Sequence, residues 1–407
     1  MNWKLLIILL VVLEHGYRLV LNFVQRKSAA NPIPANVADV YDAETYTRWR
    51  NYHAEHCGHS MISTAVSFAV TLVLLLTDAY AAVANWFPTD GFMQLLAVVL
   101  TNTIVYAVVN VGLIYYSTMV IEQKYGFNRT TVKTFIIDQI RNLLLEILLS
   151  LGLAWVLMLL HQAMGDWVIV LFAAVMFGFT LLISFLYPFF SRIGNKFVPL
   201  EDGELKEKLT ALLTKHNYTV RAIEVMDASR RTTKLNAYFT GFGKLKTIVL
   251  YDNMLTAMTT DEIVAVFAHE LGHGLHKDVL KMQILNIGNM LLMGIVVWLS
   301  VKLVDMHITF GFEGINYGFA MILAGCGLGV VQPLTGIVTN AHSRKAEYRA
   351  DRQAVVEGYG EALCSGLKKL GKENFSHLAP AKLLVVLDYS HPPLSERIEA
   401  VEQAMKH

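Results

Sequence analysis

A pentapeptide in the second half of the chain has the residue types and spacing of a catalytic metal site. His269, Glu270 and His273 occur in the order His-Glu-Leu-Gly-His. Residues four apart lie on one face of an α-helix, so both imidazoles could bind one ion while Glu270 lies beside a water that the metal activates. This spacing predicts a zinc-dependent peptidase.

The flanking residues favour the helix that this geometry needs. The stretch 261–276 follows Thr259 and Thr260, which suit a helix N-cap, and it has acidic residues in its first turn and no proline. We therefore expect a helix over 261–276.

A second motif downstream offers a third ligand. Catalytic zinc sites use three protein ligands and one open position, and two histidines with a glutamate form one such set. Glu347 begins the sequence Glu-Tyr-Arg-Ala-Asp, which ends at Asp351. We predict that Glu347 completes a site for one Zn²⁺ per chain, and that Asp351, on the same helical face, holds the far nitrogen of a ligating histidine.

A rival cluster precedes the second apolar stretch. His53, His56, Cys57 and His59 could bind a metal if they are helical, because positions 53, 56 and 57 share a face. The alternative is a group of interfacial histidines near a membrane surface.

The composition indicates that a membrane positions these motifs. Hydrophobic residues make up 54% of the 407 positions and charged residues only 16%. Seven stretches are long enough to cross a bilayer as helices: 3–24, 61–86, 92–119, 143–164, 167–190, 284–305 and 317–339. The first could instead be a secretory signal, but Glu14, His15 and Arg18 interrupt it and no small-residue cleavage site follows closely.

The loop charges predict an orientation. Lysine and arginine occur in the first, third and fifth loops and in the tail, and are absent from the second, fourth and sixth. This pattern places the N-terminus outside and both metal motifs on the cytoplasmic side.

The polar residues between the fifth and sixth stretches predict a small α+β domain. Residues 201–216 have helical spacing, and 218–225 and 247–251 suggest short strands. The glycine-punctuated segment 234–243 could be an exposed strand edge or an ordinary hairpin. We expect one membrane-embedded unit made of helices 1–5 (1–190), a catalytic segment (191–283), helices 6 and 7 (284–340) and a C-terminal catalytic segment (341–407).

Charge and cysteine content exclude other classes. The net charge of +1, without a basic block, gives no indication of nucleic-acid binding. Cys57, Cys326 and Cys364 are scattered and odd in number, so they predict neither a disulfide framework nor a thiolate metal site.

Four further stretches, together with the two metal motifs, resemble the type 1 CAAX prenyl endopeptidase family of gluzincin-type membrane zinc proteases. They are Glu-Gln-Lys-Tyr-Gly-Phe-Asn at 122–128, Asn-Lys-Phe-Val-Pro-Leu-Glu-Asp-Gly-Glu-Leu at 195–205, Asn-Ala-Tyr-Phe-Thr-Gly at 236–241 and His-Pro-Pro-Leu-Ser-Glu-Arg at 391–397. The resemblance covers most of the chain. It departs from the family at Gly274, where an aromatic residue is frequent, and at Asp278, where a histidine is frequent.

The resemblance implies a fold and an activity. It implies an all-α membrane protein with seven helices around a water-filled chamber, capped by a small α+β zinc peptidase domain. The implied substrate is a peptide or protein with a lipidated C-terminus, cleaved next to its prenylated cysteine. By resemblance His391 and Arg397 would stabilise the oxyanion, and Asn236, with Ala237 and Tyr238, would hold the substrate backbone. His391 could instead be a local turn residue before two prolines.

Two alternatives stay open at this stage. One is a quality-control zinc protease of the membrane that acts on unprenylated or misfolded membrane proteins. The other is a non-enzymatic seven-span transporter or receptor with structural zinc, although Glu270 would then have no use. A bacterial protein would lie in the cytoplasmic membrane, and a eukaryotic one in the endoplasmic reticulum or inner nuclear membrane. The natural substrate and oligomeric state do not follow from the sequence.

Overall fold

Helices form most of the computed structural model, which describes residues 2–192, 195–240 and 246–406. The membrane-associated helices are α1 Trp3–Ser28, α2 Ala43–Leu76, α3 Ala79–Ala84, α4 Gly91–Tyr115, α5 Val132–Met164, α6 Val168–Phe190, α10 Asp278–Lys302, α11 Val304–Thr309 and α12 Tyr317–Val356. The others are α7 Glu204–Lys215, α8 Asp252–Ala257, α9 Thr260–Leu275, α13 Gly360–Glu373, α14 Lys382–Leu387 and α15 Leu394–Ala404. A π-helical turn, Tyr116–Glu122, extends α4.

Six helical stretches among the described residues are long and apolar enough to cross a membrane. Five coincide with α1, α2, α4 with its π-helical turn, α10 and α12, and the sixth is Val132–Ile183. This last stretch contains α5, a short 3₁₀ turn at Gly165–Trp167 and most of α6. The apolar stretches predicted from the sequence thus overlap these six helical stretches, whereas the expected count of seven is not settled by the helices alone.

Two of these helices extend far beyond their apolar segments. The second was expected to begin at 61 but begins at Ala43, and the last was expected to end at 339 but ends at Val356. Hydropathy marks only the part of a helix that meets lipid, and nothing in the polar continuations stops the helix. The extension of α12 matters for the site because it carries both Glu347 and Asp351.

A four-stranded sheet supports the helix that carries the histidines. The strands β1 Phe197–Pro199, β2 Ala222–Met226, β3 Ala237–Thr240 and β4 Thr247–Tyr251 lie in the order β1-β2-β4-β3. Buried residues of β4, such as Ile248 and Leu250, belong to the same core as Val264, Phe267 and Leu271 of α9. The strands expected at 218–225 and 247–251 are thus present, but β2 begins four residues later than expected and β1 was not foreseen.

The helix α9 begins with the expected cap. The Thr259 side chain accepts a hydrogen bond from the Glu262 backbone, and the Glu262 carboxylate accepts one from the Thr259 backbone. This capping box satisfies two N–H groups that a helix start leaves free. The helix runs over Thr260–Leu275, within one residue of the predicted 261–276 at each end.

Candidate active site

The close packing of α9 on α12 brings the two metal motifs together. At Gly272, between the two histidines, an added Cβ would lie 2.9 Å from the Cβ of Gln353 and 3.0 Å from the Cα of Ala350. These separations are too short for a side chain, so glycine permits the contact between the helices. The same contact brings Glu347 opposite His269 and His273.

Three ligand-type atoms converge at this contact. His269 Nε2 lies 3.5 Å from Glu347 Oε2, and His273 Nε2 lies 3.3 Å from Glu347 Oε1. One donor atom of each residue lies within 4.8 Å of the other two. Among the described residues, no other group of three histidine, cysteine, aspartate or glutamate donors converges in this way.

Two carboxylates orient the imidazoles from behind. His269 Nδ1 donates to Asp351 Oδ1 at 2.8 Å, and His273 Nδ1 donates to Asp278 Oδ2 at 3.1 Å. Since an ionised carboxylate only accepts hydrogen bonds, each Nδ1 holds a proton, so Nε2 is the nitrogen of each ring that can bind a metal. Asp351 thus lies where its spacing predicted.

The site has the donor set and the electrostatics of a cation site. Glu347 Oε2 is buried and has no hydrogen-bond partner among the residues that the structure describes, a costly state that a cation would relieve. Burial lowers the pKa of His273, but the neighbouring carboxylates, Glu347 foremost, outweigh burial and raise it to about 9. Two imidazoles and a carboxylate with an unused oxygen fit the metal that the motifs predicted.

Glu270 lies beside the converging donors. It directly follows His269 on α9 and is half-buried. Its negative charge contributes to raising the pKa of both His273 and Arg397, although burial acts in the opposite direction on each. The carboxylate therefore lies close to the ligand group without occupying a ligand position in it.

The two C-terminal residues expected near the oxyanion lie at this site in different surroundings. His391 is 63% exposed, and its Nε2 lies 3.3 Å from Glu347 Oε1. Arg397, on α15, donates through Nε and Nη2 to both oxygens of Asp351, at 2.9 and 2.6 Å. Its Nη1 lies 3.4 Å from Glu347 Oε2. His391 thus faces the open side, while Arg397 supports the ligands from behind.

The segment expected to be a strand edge or a hairpin contains β3, which is both antiparallel to the next strand, β4, and last in the sheet. β3 is the last strand of the sheet, paired on one side with β4 through Ala237–Leu250 and Tyr238–Val249, and it contacts α9. Asn236 precedes the strand and is exposed. Residues 241–243, the end of the predicted segment, lie outside the described residues.

The rival histidine cluster does not converge. His53 Nε2 lies 3.1 Å from the backbone oxygen of Gln25, and His59 Nε2 lies 2.9 Å from that of Leu113. His56 Nε2 faces Glu122 at 3.7 Å. The side chains are helical as the metal hypothesis required, but they point to different partners.

Sequence reasoning missed the role of Asp278 and noted it only as a departure from the family. The residue opens α10 five positions after His273, and an acidic residue so close to a metal motif was an available signal. At the other departure, Gly274, a Cβ would lie 2.3 Å from the Tyr218 hydroxyl, so Tyr218 occupies the space of a side chain at 274.

Two family models match the chain. Residues 23–192 match the N-terminal region of CAAX prenyl proteases, described as five membrane helices, and residues 199–405 match peptidase family M48. The boundary between the two matches falls where the sheet domain begins.

Similar proteins cover nearly the whole chain. A CAAX prenyl protease 1 homologue of Oryza sativa subsp. japonica is 30% identical, over 97% of this chain and 96% of its own. CAAX prenyl protease 1 of Saccharomyces cerevisiae is 29% identical, over 98% and 95%. The crystal structure of S. mikatae Ste24p superposes with a TM-score of 0.90 at 27% identity and covers 99% of both chains.

Proposed function

The chain belongs to the type 1 CAAX prenyl protease family of M48 peptidases and is a multi-pass membrane metalloprotease, and on this basis we propose its metal, substrate and catalytic residues. The metal is Zn²⁺, bound by His269, His273 and Glu347. The substrate is a protein or peptide with a prenylated CAAX-type C-terminus, hydrolysed near that end.

One observation carries this proposal. The two Nε2 atoms and the Glu347 carboxylate converge while both Nδ1 atoms are held by carboxylates, and Glu270 lies beside them. A structural zinc site is closed by four protein ligands, whereas a catalytic one keeps a position open. Three converging donors with an adjacent carboxylate favour catalysis over a structural role.

The chemistry divides between the metal and Glu270. When bound, zinc acidifies a water molecule and polarises the scissile carbonyl. Glu270 takes the proton of the attacking water as general base. It then delivers that proton to the leaving amine nitrogen as the peptide C–N bond breaks.

Two residues, His391 and Arg397, stabilise the developing oxyanion. His391, exposed on the open side at 3.3 Å from Glu347, is placed to donate to the substrate carbonyl oxygen. Arg397 donates to Asp351 through Nε and Nη2, and Nη2 also lies 3.3 Å from His269 Nδ1, so Nη1, which lies 3.4 Å from Glu347 Oε2, is the nitrogen that we assign to the reacting group. We therefore assign His391 the direct contact and Arg397 a largely electrostatic one.

The edge of β3 that faces away from β4 holds the substrate. An extended peptide can add to such an edge through backbone hydrogen bonds, which tolerate many side chains. Ala237 and Tyr238 supply this edge, and Asn236 lies exposed at its start. Contact between β3 and α9 supports a scissile bond lying across Glu270.

The membrane part consists of seven spans around a polar chamber. The stretch Val132–Ile183, with 52 residues, is far longer than the roughly 20 residues that cross a bilayer, so α5 and α6 count as separate spans. Asn110 and Glu146 line an open groove of about 440 Å³ between α4 and α5, and we assign both side chains to the polar interior because they are costly in lipid. The polar residue Asn102 of α4 instead accepts a hydrogen bond from the Tyr80 hydroxyl of α3, so a contact between helices accounts for it.

The arrangement of segments follows from these spans. Helices 1–5 (1–190) and 6–7 (284–340) form the chamber, and segments 191–283 and 341–407 together form the catalytic unit. The alternation of the loop charges supports a cytoplasmic orientation of this unit. Surrounding membrane lipid would keep the lipidated end of the substrate near the spans.

Peptide cleavage by the full-length protein in detergent tests this function. A farnesylated CAAX peptide is compared with its unprenylated twin, with a chelator and Glu270→Gln as controls. Cleavage that favours the farnesylated peptide and is abolished by both controls is expected. Equal cleavage of both peptides would favour a quality-control protease, and absence of metal-dependent cleavage would reject the peptidase assignment.

A further inference from the structure

Asp278 joins the second histidine to a charged residue on another helix. The chain turns between α9 and α10 at Lys277, which has a φ of 56°, and Asp278 is the first residue of α10. The turn directs the buried Asp278 side chain back towards the site, where its Oδ2 accepts from His273 Nδ1 at 3.1 Å. The Asp278 carboxylate therefore contacts the His273 ring and not the solvent.

Arg349 occupies the other oxygen of this carboxylate. Its Nη2 donates to Asp278 Oδ1 at 2.6 Å. Arg349 lies midway between Glu347 and Asp351 on α12, and helix residues two apart point in different directions. Glu347 and Asp351 therefore face α9, while Arg349 reaches α10. This short stretch of α12 supplies a candidate ligand, the carboxylate that contacts His269, and the arginine that binds the carboxylate contacting His273.

The result is two chains of contacts with the same order of groups. In the first, His269 contacts Asp351, which contacts Arg397. In the second, His273 contacts Asp278, which contacts Arg349. In both chains the imidazole donates through Nδ1, one carboxylate oxygen accepts, and an arginine binds the carboxylate from behind. The first chain was anticipated from spacing, and the second was not.

We propose that Asp278 and Arg349 are positioning residues that fix the imidazole of His273 for metal binding, as Asp351 and Arg397 do for His269. This inference rests on the proposed metal site but not on any substrate. Partners of this kind fix the ring orientation and raise the basicity of the ligand, and their loss weakens metal binding about 10- to 100-fold. Arg349 also compensates the negative charge of the buried Asp278 carboxylate, which lies in the same region as Glu347 and Glu270.

A purely structural role for the pair is the competing explanation. Asp278 is an acid in the first turn of α10, where it also stabilises the helix dipole, and the ion pair ties α10 to α12. The chain contains a matched control for that role. Glu357 accepts from His216 Nε2 at 2.7 Å and from Lys215 Nζ at 2.7 Å, with its side chain 1% exposed, and it lies outside the candidate site.

The test uses the full-length protein in detergent. Zinc affinity is measured by competition with a chromophoric chelator, and the visible absorption spectrum is measured after Co²⁺ substitution, for wild type, Asp278→Ala, Arg349→Gln and Glu357→Ala. We expect a 10- to 100-fold loss of affinity and an altered cobalt spectrum for Asp278→Ala, about 3- to 10-fold for Arg349→Gln, and neither change for Glu357→Ala.

Two additional variants separate positioning from folding. Asp278→Asn keeps an oxygen that can accept from His273 Nδ1, so it should recover much of the zinc affinity that Asp278→Ala loses, and it serves if Asp278→Ala does not fold. In the double variant Asp278→Ala/Arg349→Gln, the arginine change should add less than about twofold, because its partner is already absent.

Three outcomes would overturn the inference. Wild-type zinc affinity and cobalt spectrum in Asp278→Ala would remove the positioning role while leaving the proposed function intact. Losses in Glu357→Ala equal to those in Asp278→Ala would assign the pair to general stability. If the wild-type protein binds neither zinc nor cobalt, the proposed metal site fails, and the inference fails with it.

Discussion

Two histidine clusters of this protein have similar spacing and different surroundings. His269 and His273 are one turn apart on α9, just as His53 and Cys57 are one turn apart on α2. In the first cluster carboxylates bind both Nδ1 atoms, and both Nε2 atoms face Glu347. In the second, His53 Nε2 lies against a backbone oxygen and 3.6 Å from the sulfur of Cys57.

The second cluster instead takes part in contacts between the N-terminal helices α1 and α2 and the C-terminal segment around His377. His377 lies next to His53, with ring centroids 5.0 Å apart. The Ala379 backbone donates to His377 Nδ1, so Nε2 carries the proton and donates to Ser28 Oγ at 2.8 Å. Spacing thus shows which histidines can act together, whereas the partner of the remaining nitrogen decides whether they can bind a metal.

The largest contrast is expected from removing one histidine of each cluster. His269→Ala removes a predicted ligand, so metal-dependent cleavage should fall by at least about 10⁴-fold. His53→Ala removes a ring that contacts a backbone oxygen, so it should leave cleavage within about threefold of wild type. Initial rates on one peptide, after equal recovery of folded protein, measure both. A comparable loss in both variants would erase the distinction between the clusters.

Glu270→Gln sharpens the contrast within the first cluster. The amide keeps the shape of the side chain but cannot take a proton, so cleavage should fall about 10²- to 10⁴-fold while bound metal is retained. Single-turnover rates and metal content on the same sample measure the two effects separately. Near wild-type cleavage would show that Glu270 is not the base.

Arg397→Lys probes the support behind His269. Lysine keeps the charge but cannot bind both oxygens of Asp351 as the guanidinium does, so kcat/KM should fall about 10- to 100-fold. Steady-state kinetics with saturating zinc provide the measurement. Full activity of the lysine variant would mean that charge alone is required and that the two-oxygen contact is dispensable.

The smallest expected effect concerns the second cluster and acid stability. Burial, with the adjacent His53, lowers the pKa of His377 from 6.5 to about 3. Below about pH 6.5 the unfolded protein therefore binds a proton at His377 that the folded protein does not bind. The free energy of unfolding is constant above that pH and declines below it. The free energy of unfolding should fall by about 2 kcal/mol between pH 7 and pH 5 from this group.

Denaturant unfolding in detergent at the two pH values measures this change. In His377→Gln the amide mimics Nε2 but does not titrate, so the acid-dependent loss should shrink by that amount. An identical pH dependence in wild type and variant would show that His377 is not responsible.

The ligand motifs could be predicted because both are local on a helix. His269, Glu270 and His273 lie within one turn of α9, and Glu347 and Asp351 within one turn of α12, so their faces follow from the helical repeat. The contact between these helices depends on Gly272, whose role as a packing position cannot be distinguished by sequence from that of any other helical glycine.

What the sequence did not reveal depends on contacts between distant segments. Asp278 meets Arg349 across 71 positions, and Arg397 meets Asp351 across 46. The continuity of α12 from its apolar part through Glu347 and Asp351 was likewise not predicted, because an apolar scan ends where the lipid ends. The apolar and helical character of these segments is a local property, and the sequence predicted it.

The zinc K-edge X-ray absorption spectrum of the purified full-length protein tests the central claim most directly. We expect one zinc per chain with two imidazoles and oxygen ligands at about 2.0–2.2 Å, and no sulfur. A sulfur shell at about 2.3 Å would place the metal at Cys57 in the second cluster instead. That result, or the absence of bound zinc, would contradict the assignment of His269, His273 and Glu347.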